Sequence, residues 1–82
     1  MTNHEIRKAF VQREPVFIES GGLARAGKIT SVDINSTSGE VVSIEFTRDT
    51  GGSYNVGPES FDRLYTQSQI ERLFDKYGFG LE

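Results

Sequence analysis

The residues whose spacing first suggests chemistry are Gly22-Leu23-Ala24-Arg25-Ala26-Gly27-Lys28, which fill the first seven places of a phosphate-binding loop. Such a loop next needs Ser or Thr to hold magnesium, and then a helix whose N-terminus faces the phosphates. Ile29 stands in that place, and Ile29-Thr30-Ser31-Val32 favours a strand, so the segment reads as a hairpin turn followed by a bent strand. Asp33, Asn35 and Thr37 imitate the start of a calcium loop. Ser38 replaces its sixth-place glycine and Ile44 its twelfth-place glutamate, which rules the motif out. His4 is the only histidine and there is no cysteine, so histidine-based zinc sites, thiolate sites, disulfides and thiol chemistry are all excluded. A nucleophile–base pair would have to join Ser to Lys or to a carboxylate. Glu45 and Glu59 are the remaining acid pair, but Glu45 alternates with apolar neighbours and is expected to face water. No set of side chains converges on a reacting atom, and the chain is read as a non-enzymatic protein without a cofactor or metal.

One cluster does carry an expectation of binding. In a meander, the turns at Gly21-Gly22 and Asp49–Gly52 lie at one end of the sheet. That arrangement brings Arg25, Arg48 and Tyr54 together there, with Lys28 about one residue pair further along. Cations beside an aromatic suit an acidic peptide or a nucleic acid. Against this, turn flanks are commonly charged for solubility, and Glu19 and Asp49 belong to the same end. The formal net charge of −3 and pI near 5.1 disfavour a polyanion, so another protein is the expected partner and RNA the alternative.

The elements that position this cluster follow from periodicity. Thr2 with Glu5 forms a capping box, and Ile6, Ala9, Phe10 and Arg13 recur at helical spacing until Pro15 stops the helix. From Pro15 to Ser20 the period becomes that of a strand, with Val16 and Ile18 on one face and Phe17 on the other, expected to pack under a terminal helix, the alternative being an exposed partner or oligomer surface. A second strand spans 23–35. Its apolar phase shifts between Ile29 and Val32/Ile34, which predicts a bulge or bend eased by Gly27. After a polar loop over 35–40, Val42, Ile44 and Phe46 alternate with Ser43, Glu45 and Thr47 in a third strand. A short strand over 53–57 follows, then a tight helical turn at Pro58-Glu59-Ser60 and a last strand over 61–65. The C-terminal helix has a capping box at Ser68/Glu71, a stripe of Ile70, Leu73, Phe74 and Tyr77, and Gly78 as its stop.

The fold class is therefore mainly β (α+β): a small five-strand bent antiparallel barrel, with a helix at each end, in one domain over 1–80. Leu81 and Glu82 read as the scar before a purification tag. Eighty-two residues allow one modest core, helped by six phenylalanines and three tyrosines. The absence of cysteine, of a signal-type apolar run and of a membrane-length apolar stretch points to a cytoplasmic protein, which makes the sequon at Asn35-Ser36-Thr37 a chance match.

This layout resembles the Sm-like small barrels, nearest the bacterial RNA chaperone Hfq. The resemblance lies in Arg13-Glu14-Pro15-Val16-Phe17-Ile18 and in Gly27-Lys28-Ile29-Thr30-Ser31-Val32-Asp33, which look like that family's opening strand and its bent second strand. It covers about the first two-thirds of the chain and implies an oligomeric RNA binder. The family's Tyr-Lys-His RNA contact corresponds to about Val56-Gly57-Pro58-Glu59, with neither Lys nor His, so its RNA-contact residues do not carry over. SH3-like barrels match equally well, through Val56-Gly57-Pro58-Glu59-Ser60-Phe61, which looks like their turn before the final strand.

Overall fold

The computed structural model describes residues 1–78 and 80–81. Helix α1 (Asn3–Gln12) starts as its sequence predicts: the Thr2 hydroxyl accepts from the Glu5 amide at 3.2 Å, and the Glu5 carboxylate accepts from the Thr2 amide at 2.9 Å. It stops before Pro15 acts. Arg13 turns left-handed (φ 53°, ψ 41°), and the Glu14 amide reaches back to the Ala9 carbonyl at 3.0 Å. Ile6 and Ala9 are fully buried, whereas Phe10 is 38% exposed, so the inward stripe is narrower than its spacing predicts. Phe10 lies about 100° around the helix from Ala9, which rolls it off the contact face.

The strands are β1 (Val16–Ser20), β2 (Leu23–Ile34), β3 (Val41–Arg48), β4 (Ser53–Val56) and β5 (Leu64–Thr66), with helix α2 (Gln67–Tyr77) and a two-residue strand β6 (Gly80–Leu81). The order β4-β3-β2-β1-β5 makes a five-strand antiparallel sheet. The sheet is open, since β4 and β5 are not paired with each other among the described residues. β6 runs parallel to the start of β2, pairing Leu23 with Gly80 and Ala24 with Leu81. Leu81, set aside from the fold on its sequence, is thus part of the ladder; Glu82 lies outside the described residues.

Four local readings are corrected. Val42 is 41% exposed while Val41 is 4% exposed. A register shift between Asp33 and Ile34 pairs Ile34 with Val41 and leaves Val42 as the extra residue of a bulge. The tight turn extends over Pro58–Arg63 as a 3₁₀ helix, so Phe61 plugs the core from that turn, and β5 begins only at Leu64. β4 ends at Val56, one residue earlier than predicted. The capping box of α2 is Thr66/Gln69 rather than Ser68/Glu71, because β5 runs straight into the helix and ends at Thr66. Ile70 is buried and Leu73 and Phe74 are half-buried; the side chain of Tyr77 lies outside the described set. Phe17 is half-buried on the face away from the core, paired with Tyr65, and α2 packs against both of their strands. Burial, with Glu19 and Asp62 adding to it, raises the Tyr65 hydroxyl above its ordinary value.

The one predicted bend, in the second strand, is confirmed by a register shift between Ile29 and Ser31. At Gly27 the two long strands come so close that a Cβ would meet the Thr47 carbonyl and lie 2.7 Å from the Phe46 ring. Phe46 is wholly buried and heads a core of Ile6, Val16, Ile29, Ile44, Val56 and Leu64. The helices lock together through their caps: Gln69, which caps α2, also donates to the Glu5 carboxylate at 2.9 Å, joining residues 64 positions apart. The Thr2 amide and the Gln69 amide both favour the ionised form of Glu5, and its carboxyl is held below the ordinary 4.5.

Two outcomes follow. Gly27→Ala should lower the urea unfolding free energy by about 2–3 kcal/mol, because a backbone carbonyl has little room to yield; an unchanged midpoint would refute the close approach. A carboxyl whose folded value is depressed adds stability above its unfolded value, and that contribution fades as pH falls through the folded one. Stability should therefore drop below pH 4.5, and Glu5→Gln should flatten that part of the profile. Parallel acid-unfolding curves for the two proteins would count against the interlocked caps.

Candidate functional site

The antiparallel register assigns each member of the predicted cluster a place. Gly27 pairs with Arg48 and Ile18 with Arg25, so both arginines share the ladder face of Val16, Ile18 and Ile29, near the end where β3 runs into its turn. Both are half-buried. Tyr54 pairs with Phe46 on this same face, with ring centroids 5.6 Å apart and planes tilted by 47°. Lys28 pairs with Thr47 and so faces the other way. The structure thus groups Arg25, Arg48 and Tyr54 at one end and separates Lys28 from them.

The arginines of this end are partly committed to the fold. Arg48 Nε donates to the Gly51 carbonyl at 3.3 Å, tying the side chain to its own hairpin turn. Glu19 likewise accepts from the Gly22 amide at 3.1 Å and holds the first hairpin. Gly51 and Gly52 carry φ values of 98° and 85°, which allow the tight return into β4.

β4 itself is the feature that residue types alone do not reveal. The Arg48 amide donates to the Gly52 carbonyl at 3.0 Å, which makes Arg48 and Gly52 a hydrogen-bonded pair. Bonded pairs recur every second residue in an antiparallel ladder. Tyr54 and Val56 therefore bond inward to Phe46 and Ile44, while Ser53 and Asn55 direct their N–H and C=O groups outward. Both side chains are exposed, and β4 has no strand on its far side among the described residues. β5, the opposite edge, is flanked by α2. Strand order, which settles this asymmetry, depends on long-range pairing that no local pattern encodes.

Of the surface concavities, two bear on these elements. One of about 310 Å³ lies between α2 and β5, lined by Met1, Leu64, Tyr65 and Leu73 with Gln69 and Arg72. The Met1 amine sits near it and donates to the carbonyls of Phe61 and Leu64, and partial burial lowers its pKa below the ordinary value. The other, of about 570 Å³, lies between the end of α1 and the middle of β2. Among the described residues no three His, Asp or Glu side chains converge as a metal site, and no helix is long and apolar enough to cross a membrane.

No family model matches this chain, and neither a curated protein nor a solved structure matches it.

Proposed function

We propose that this domain is a non-catalytic binding module that takes an extended segment of a partner protein along the free edge of β4. The observation that carries the reading is the outward backbone of Ser53 and Asn55 on an edge strand that, among the described residues, has no strand on its outer side and no helix packed extensively against it. An added strand gains main-chain hydrogen bonds from such an edge and specificity from the side chains beside it. Tyr54 supplies an aromatic contact 37% exposed, and Arg25 and Arg48, on the ladder face opposite Glu19, offer cations that suit acidic residues in the partner. On this reading the five strands curl as in Sm-like and SH3-like barrels. The bulges of β2 and β3, the close approach at Gly27 and the 3₁₀ turn between β4 and β5 all support that curvature.

A second reading, an Sm-like RNA-binding oligomer, is favoured by the open sheet: the β4 edge is unpaired and, in an oligomer, would meet the β5 edge of the next copy beside α2. It needs self-association, because one subunit of net charge −3 offers few cations to a phosphate backbone. Light scattering that shows a strict monomer, with no salt-dependent RNA binding, would exclude it.

The edge reading is tested by Asn55→Pro. Proline removes the outward N–H of Asn55 while leaving the bonds from Tyr54 and Val56 to β3 in place. Peptides selected from a phage-displayed random library on the native protein should lose at least about tenfold in affinity for this variant, with its melting temperature little changed. A library that yields no binder sensitive to the proline would overturn the proposal.

A further inference from the structure

The groove between α1 and β2 is separate from the β4 edge, and its lining is of mixed chemistry. It is formed by Phe10, Val11, Arg13, Lys28, Ile29 and Thr30 and encloses about 570 Å³. Phe10 is 38% and Val11 76% exposed, so two apolar side chains at the end of α1 stand in water beside the groove. Arg13 and Lys28 are exposed, and neither has a side-chain hydrogen bond or ion pair among the described residues. The nearby acids already have partners: Glu14 lies 3.9 Å from Lys8, and Glu45, at the rim of the groove, accepts from the Thr30 hydroxyl at 2.9 Å. No acid lines the groove itself.

Arg13 adds an independent observation. It is the one non-glycine with positive φ among the described residues, at the helix-stop position where glycine is the unstrained choice. An arginine there is disfavoured by conformation alone, yet it sets a cation beside two exposed apolar groups.

We propose that this groove is a second docking site, for a short protein segment that carries an acidic residue next to large apolar ones. Arg13 and Lys28 take its carboxylates, while Phe10 and Val11 take its apolar side chains. Charge complementarity selects this occupant. Two cations suffice for charge-assisted bonds to one or two carboxylates. A nucleic acid draws its affinity from many neutralised phosphates, which two cations on a chain of net charge −3 cannot supply.

The experiment repeats the displayed-peptide selection on the Asn55→Pro protein, so that edge binders are removed and failure here stays distinct from failure of the edge. Selected peptides should pair Asp or Glu with Leu, Ile or Phe. Arg13→Gly should weaken them by at least about tenfold while holding or raising the melting temperature, because glycine suits the left-handed position. Lys28→Ala should weaken them similarly, and an oligouridylate of ten nucleotides should not compete. The proposal is overturned if no peptide is recovered, if the recovered peptides lack acids, if both substitutions leave affinity within about twofold, or if the oligouridylate displaces them.

Discussion

The contact at Gly27, where β3 lies against β2 with no room for a side chain, is the constraint on which the rest of the structure depends. It lets the Phe46 ring lie against the backbone of β2, and Phe46 is the largest of the fully buried side chains. Around that ring, Ile44, Val56 and Ile29 close one sheet face, and Ile6 and Ala9 bring α1 onto it. A small domain has few such anchors, so the loss of one close approach is felt throughout its core.

From that contact the molecule divides into a sealed side and an open one. On the sealed side, β5 leads directly into α2, and the two capping boxes share Gln69 and Glu5. Asn3 accepts from the Val41 amide at 2.6 Å, which pins α1 to the start of β3 as well. On the open side, among the described residues, β4 pairs with β3 alone, through four residue pairs, and has no strand on its outer side. The same sheet thus has one guarded edge and one free edge, and short polar residues such as Ser53 and Asn55 fit a free edge that must avoid indiscriminate pairing.

Much of this was legible in the residues. The alternation of Ile44 and Phe46 with Glu45, the phase slip after Ile29, the two glycine turns and the Thr2/Glu5 box are local signals, and local physics decides them. What was not legible depended on partners distant in sequence. Val41 replaces Val42 in the core because β2 slips against β3, which a straight period-2 reading cannot register. Thr66/Gln69 and Ser68/Glu71 both satisfy the capping pattern, and only the end of β5 selects the first. Phe10 and Arg13 fit an inward stripe by spacing, yet the end of α1 leaves both exposed beside Lys28, on the far ladder face from Arg25 and Arg48. The outward groups of β4 follow from strand order and register, which single-residue preferences do not contain.

The claim that β4 is a ladder on one side and an open edge on the other is measured most directly by residue-resolved amide hydrogen exchange. The amides of Tyr54 and Val56 should be protected, and those of Ser53 and Asn55 should exchange orders of magnitude faster. Equal protection at all four positions would mean that something already covers the edge, and would contradict the account.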